Sequence, residues 1–270
     1  MKVAVDFGIS NTDIVTCDES QKKFFSIPTK DFNNNILEKI FNVIKIDVNK
    51  IEKIAVTGGK SSSLPDKFKN IDVNKVNEID AIGLGTIEIY GLLDEPFVSV
   101  STGTGTACVH FDSEKFNHLG GISVGGGTLQ GLSKLINNES NPDVIENMAL
   151  MGDKNHLDIL IGDVVNEIGS LYPDVTASNF AKARNDIDPS PEDISASISN
   201  MVGEVIGTIS YLNAMICGLD KVYFVGRVTL NSTIKKGIED RLSLANVKGI
   251  FEENREYGNV LGALKFLETK

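Results

Sequence analysis

The sequence predicts an α/β protein built from two similar halves around a cleft, and three observations lead there. Val3-Ala4-Val5-Asp6-Phe7 and Phe97-Val98-Ser99-Val100 each read as a buried strand followed by a short polar turn that contains glycine. After each turn the same series repeats: a second strand, an acidic turn, a third strand and a helix. Between the copies lies Ile54-Ala55-Val56-Thr57-Gly58-Gly59, an unbroken apolar run of the kind a parallel sheet buries on both faces.

In the first copy the turn is Gly8-Ile9-Ser10-Asn11-Thr12, and Ile14-Val15-Thr16-Cys17 is the second strand. Asp18-Glu19-Ser20 turns the chain into a third apolar run at 24–27. A helix is expected near 34–47, where Ile36, Leu37, Ile40, Phe41 and Ile44 share one face. Another is expected at 79–93. The second copy turns at Thr102-Gly103-Thr104-Gly105-Thr106, continues with a strand at 107–111 and turns again at Asp112-Ser113-Glu114. A strand at 116–119 follows, and a helix begins after Gly125-Gly126-Gly127. The last third reads as mostly helical. Ser190-Pro191-Glu192-Asp193 opens a long amphipathic stretch over 192–217, because serine caps a helix and proline fits its first turn. A strand at 221–225 ends in Gly226; a helix near 230–243, a strand at 247–251 and a helix from Tyr257 complete the chain. Residues 172–191 read as a mobile excursion. The expected halves are 1–95 and 96–270, each containing a βββα unit.

Composition narrows the function. With 270 residues, 41% hydrophobic and 23% charged, the chain has the profile of a globular protein. Its formal net charge of -11 disfavours nucleic acid and anionic membrane as partners. No apolar run approaches the roughly 20 residues of a membrane span. Cys17, Cys108 and Cys217 are far apart and lack CxxC spacing, so reduced thiols and a cytoplasmic location are expected. His110, His118 and His156 have no metal-binding spacing, and a hydrolase triad is not expected.

Four places can carry chemistry. Asp6 closes the first strand, where its carboxylate can hold Mg²⁺ while the following turn offers N–H groups to phosphate. Ser101-Thr102-Gly103-Thr104-Gly105-Thr106 alternates glycine with hydroxyls, a donor-rich loop that lacks the Gly-Lys-Ser/Thr of a Walker loop. Gly120-Gly121-Ile122-Ser123-Val124-Gly125-Gly126-Gly127-Thr128 precedes a helix whose amino end would attract an anion. Glu78 and Asp80 stand at a helix start, where a carboxylate either accepts a proton or serves as an ordinary first-turn acid.

Taken together, these pieces resemble type II pantothenate kinases over essentially the whole chain. Beyond the motifs above, the resemblance includes Met151-Gly152-Asp153-Lys154-Asn155, Thr176-Ala177-Ser178-Asn179-Phe180, Val202-Gly203-Glu204-Val205, Val222-Tyr223-Phe224-Val225-Gly226 and Gly258-Asn259-Val260-Leu261-Gly262. It implies the actin-like (ribonuclease H-like) ATPase fold, with two similar halves around a nucleotide cleft. The implied reaction passes the γ-phosphate of ATP to the primary hydroxyl of pantothenate, the first step of coenzyme A synthesis, with Mg²⁺ as cofactor. Glu78 is the implied catalytic base, and Asp6 the implied metal ligand and first phosphate residue. Gly8, Ser10, Asn11, Gly103, Thr104, Gly105, Gly125, Gly126, Gly127, Thr128 and Gly226 are implied around ATP. Thr104, His118 and Gly120 are implied beside the acceptor. A homodimer through the helix over 192–217 is implied as well.

Two positions depart from the pattern. Asp13 stands where the resemblance places a lysine, and His118 where it places an arginine. An anion site short of two cations is therefore expected. That leaves open a kinase for a different small hydroxyl acceptor, and a catalytically weakened regulator that binds nucleotide or coenzyme A.

Overall fold

A computed structural model describes residues 1–29, 33, 35–165, 173–185 and 187–269. Asn34 of the first expected helix, and Tyr172 and Asp186 of the expected excursion, lie outside the described residues.

The first sheet forms from β1 (Lys2–Phe7), β2 (Asn11–Asp18) and β3 (Gln21–Pro28). After α1 (Ile36–Val43) it is extended by β4 (Lys53–Gly58), β5 (Lys67–Phe68) and β6 (Ile71–Lys75). Its order is β3-β2-β1-β4-β6-β5. The first three strands run antiparallel, whereas β4 and β6 run parallel to β1 and to one another. The helix α2 (Glu78–Tyr90) leads to β7 (Phe97–Thr102), β8 (Thr106–Phe111) and β9 (Phe116–Ile122). Next come α3 (Gly126–Asn137), α4 (Pro142–Met151), a small pair of strands β10 (Ile159–Leu160) and β11 (Thr176–Ser178) around α5 (Ile161–Val164), and α6 (Pro191–Ile216). The chain ends with β12 (Lys221–Val225), α7 (Ser232–Leu244), β13 (Lys248–Ile250) and α8 (Gly258–Thr269).

The second sheet has the order β13-β12-β7-β8-β9. Here too three antiparallel strands are extended by two parallel ones. The duplication therefore reaches past the strand-turn-strand units visible in the sequence and includes the parallel strands of each half.

The layers explain the apolar patterns. One face of the first sheet packs Val3, Val5, Ile14 and Val56 against Ile36, Leu37, Ile40 and Phe41 of α1. Its other face packs Ala4, Val15 and Ala55 against Val260, Leu261 and Leu264 of α8. Strand β1 is apolar on both faces because both are covered. The outer face of the second sheet packs Val98, Val100 and Phe224 against Ile198, Val202 and Ile206 of α6 and Ile234 and Ile238 of α7. Its inner face meets α2, with Ile82 against Val109 and Val225.

Helices α2 and α8 thus sit between the sheets and touch each other. Their approach depends on glycine: a Cβ on Gly85 would stand 1.9 Å from the carbonyl oxygen of Gly258, and one on Gly262 would stand 1.8 Å from that of Ala81. Any larger residue must push the helices apart. The expected helix at 79–93 ends instead at Tyr90, because Gly91 adopts φ 64° and closes it as a left-handed cap.

Candidate functional site

Both glycine-bearing turns open into one cavity of about 860 Å³. The β1–β2 turn supplies Gly8, Ile9, Ser10 and Asn11, and the β7–β8 turn supplies Gly103, Thr104 and Gly105. The hydroxyls of Ser10 and Thr104 meet across it at 3.0 Å. Parallel β4 and β12 end at the same cavity with Gly58 and Gly226, which places it beyond the carboxyl ends of parallel strands, as open α/β sheets commonly arrange a ligand.

Asp6 stands at the end of β1, paired in register with Thr57. Gly58 makes room for it: at φ +88°, a Cβ there would come within 2.6 Å of Asp6 Oδ1. The residue keeps some exposure to the cleft. Burial pushes its carboxyl up to about 7; the nearby carboxylates of Asp13 and Glu78 push the same way, and Asn259 partly opposes them by hydrogen bonding. Crowding of this kind is relieved by a cation. Beside Asp6, Thr57 is fully buried and its hydroxyl has no hydrogen-bond partner among the described residues.

Glu78 enters the cavity because the Asn77 side chain caps α2, accepting the Ile79 N–H at 2.8 Å, so that Glu78 is the first helical residue. Its carboxylate sits at the positive end of the helix. Asp80, two residues on, is not among the lining residues.

The glycine run is placed differently from its sequence reading. The Gly126 N–H donates to the Gly103 carbonyl at 2.9 Å and the Gly127 N–H to the Thr104 carbonyl at 3.0 Å. These amides, expected to face an anion, tie α3 to the β7–β8 turn instead. Gly126 lines the cavity; Gly125, Gly127 and Thr128 do not. Thr128 Oγ1 instead accepts the Gly125 N–H at 3.4 Å and donates to the Ser123 carbonyl at 3.1 Å. Gly120 also lies outside the lining, at an irregularity where the β8–β9 register shifts between Cys108 and Val109. His118 and Gly121, on either side of it, do line the cavity.

A residue that sequence reading missed bears on the expected deficit of cations. Arg227, immediately after Gly226, reaches from the second wall to Asp13 on the first, with Nη2 2.7 Å from Asp13 Oδ1 and 3.1 Å from Ser26 Oγ. A position read as a lost cation is thus an anion that holds a cation. The signal available was Gly226-Arg227 at the end of an apolar strand, a basic residue where the second half's parallel strand meets the cleft. Asn259, at the start of α8, was also missed; it lines the cavity and its Oδ1 lies 3.4 Å from Ser101 Oγ.

The reading that no hydrolase triad is expected overlooked Gly121-Ile122-Ser123-Val124-Gly125, which has the Gly-x-Ser-x-Gly spacing of a nucleophile elbow. Ser123 follows an antiparallel edge strand, however, and among the described residues no histidine is hydrogen-bonded to it.

Two sheets of matching topology, with paired turns on one cleft, define the two-lobed actin-like nucleotide-binding fold. Solved structures with the same fold include the activator of 2-hydroxyisocaproyl-CoA dehydratase from Clostridium difficile with bound ADPNP, at TM-score 0.64 and 18% identity, covering 98% of this chain and 93% of that one. A ROK family glucokinase from Streptomyces griseus, in complex with glucose and AMPPNP, matches at TM-score 0.63 and 12% identity over 100% of this chain and 99% of that one. The chain belongs to the Fumble family, whose profile spans residues 92–263. Curated relatives include a type II pantothenate kinase of Staphylococcus haemolyticus, 29% identical over 98% of this chain and 99% of the relative. One from Bacillus cereus is 29% identical over 99% and 98%. Among the described residues no helix is long and apolar enough to cross a membrane.

Proposed function

We propose that the chain is an ATP-dependent kinase that phosphorylates the primary hydroxyl of pantothenate. One observation carries the reading: a cavity that both glycine turns share also receives the carboxylates of Asp6 and Glu78, in a chain whose relatives of nearly the same length are named type II pantothenate kinases.

The residues fit Mg²⁺ and ATP. Asp6, crowded by two other carboxylates, is the group a divalent cation would stabilise. Mg²⁺ takes few protein ligands and keeps waters and phosphate oxygens for the rest; when bound it neutralises charge between the β- and γ-phosphates. Gly8, Ser10, Asn11, Gly103, Thr104 and Gly105 would border the phosphates, with N–H and hydroxyl donors on tight turns. Gly126 and Gly226 line the continuation of the cleft, where the rest of the nucleotide would lie. Glu78 would accept the proton of the attacking hydroxyl, and His118 and Thr104 would flank the acceptor. In this reading Gly120, Gly125, Gly127 and Thr128 shape the wall without touching a ligand.

The same reading takes 1–95 and 96–270 as the two duplicated halves, with α8 returning to cover the first sheet. It also takes α6 as the face of a homodimer. Leu212, Met215 and Ile216, exposed toward its carboxyl end, support that. A cytoplasmic location follows from the need for the ATP pool of that compartment.

The test is ADP release with Mg-ATP and a panel of acceptors: pantothenate, pantetheine and hexoses. Pantothenate turning over best supports the assignment. A hexose turning over best replaces the acceptor, and ligand-induced stabilisation with no ADP release from any acceptor replaces the enzyme with a regulator.

A further inference from the structure

We propose that Arg227 is the cation that meets the nucleotide's phosphate chain, and that Asp13 is the residue that positions it. The proposal rests on the nucleotide-binding reading above and adds a residue to it. The carboxylates of Asp6, Asp13, Glu78, Asp143, Glu146 and Glu256 line the cavity, and Arg227 is the one Lys or Arg among its described lining residues. A polyanion entering such a cleft meets strong repulsion unless local cations offset it.

The geometry leaves Arg227 free for that task. Its side chain is 38% exposed, whereas that of Asp13 is 13% exposed. The carboxylate is therefore the fixed partner and the guanidinium the accessible one. Both described hydrogen bonds, to Asp13 and Ser26, use Nη2. A guanidinium carries five N–H donors in a rigid fork, so the Nη1 side remains available for phosphate oxygens while Nη2 is held. The Tyr257 ring centroid lies 5.8 Å from the guanidinium carbon and limits its swing. Arg227 also stands directly after Gly226, in line with the Ser101-Thr102-Gly103 segment through the Val225–Ser101 register pair. Asp13 and Arg227 compensate each other's charge, so the aspartate adds little to the repulsion while it orients the fork.

The experiment measures binding of Mg-AMPPNP and of adenosine by calorimetry, alongside pantothenate-dependent turnover, for wild type, Arg227→Ala, Arg227→Lys and Asp13→Ala. Circular dichroism checks that each variant is folded. Losing one charge-assisted contact predicts at least about tenfold weaker Mg-AMPPNP binding in Arg227→Ala, with adenosine binding unchanged. Arg227→Lys recovers part of the loss. Asp13→Ala keeps Mg-AMPPNP affinity within about threefold but lowers kcat at least tenfold, because the cation remains while its orientation is lost. Mg-AMPPNP bound by Arg227→Ala as tightly as by wild type overturns the assignment, as does an equal loss for adenosine, which would make the pair a brace between the walls. Unchanged kcat in Asp13→Ala overturns the positioning role. A wild type that binds Mg-AMPPNP without phosphorylating pantothenate refutes the acceptor reading alone, and the binding comparison still decides on Arg227.

Discussion

The Ser10 and Thr104 hydroxyls stand 3.0 Å apart, joining the tips of two turns separated by most of the first half of the chain. Each turn follows the first strand of its own sheet, so this contact is where the duplication closes on itself. Ser10→Ala removes one cross-cleft hydrogen bond at an exposed site. A cost near 1 kcal/mol predicts a rise of about fivefold in the KM for ATP. The melting temperature should move little, because neither side chain is part of the core. Steady-state kinetics at varied ATP checks this.

Glu78 is held at the first position of α2 by the Asn77 cap. Glu78→Gln keeps the shape and removes the proton acceptor. Turnover should fall at least about a hundredfold, while Mg-AMPPNP affinity measured by calorimetry stays within about threefold of wild type. Full turnover in this variant would remove Glu78 from the reaction.

Asp6 sets a pH dependence of stability. Burial, with the carboxylates of Asp13 and Glu78 beside it, pushes its carboxyl up from the usual carboxylate range to about 7 in the folded protein. The folded state therefore binds the proton more tightly than the unfolded chain does. Its contribution is fully present below the unfolded pKa and is lost as pH rises through about 7. Without ligand, wild type should lose more stability between pH 5 and pH 8 than Asp6→Asn. Urea unfolding midpoints at the two pH values measure the difference, and equal losses would contradict it.

Gly85 and Gly262 set the separation of α2 and α8. Gly262→Ala places a methyl group against the Ala81 carbonyl, and overpacking predicts a loss of about 1–3 kcal/mol. Because this helix pair lies between the sheets, kcat should fall as well. Thermal unfolding together with turnover tests both parts.

Asp158 is fully buried and accepts the Phe180 N–H at 2.8 Å and the Ser197 hydroxyl at 2.9 Å. It ties the segment before α6 to α6 itself. Asp158→Ala takes the acceptor from the Phe180 N–H, while the Ser197 hydroxyl keeps the Lys154 carbonyl at 3.3 Å, at a cost of about 1–3 kcal/mol in unfolding free energy. A destabilisation below about 1 kcal/mol in urea titration would show that water replaces the carboxylate.

Much of the architecture was legible from local patterns. The strands of both halves, the helix opened by Ser190-Pro191 and the two glycine turns are written in apolar periodicity and cap chemistry, which act over a few residues. The short strand β5 escaped because two residues carry too little pattern. Helix α4 escaped although Asn141-Pro142 is a good start, since its apolar face is narrow: only Ile145 and Ala149 are buried.

What the chain determined by itself was each half: which residues form strands, where the turns fall, and that glycine and hydroxyls concentrate at those turns. Tertiary structure decided which groups share the cleft. It turned the amides of Gly126 and Gly127 toward carbonyls, and it brought Arg227 to Asp13 from 214 residues away. Periodicity and capping report interactions along the chain, whereas an ion pair between two walls exists only once both sheets have closed on α2 and α8.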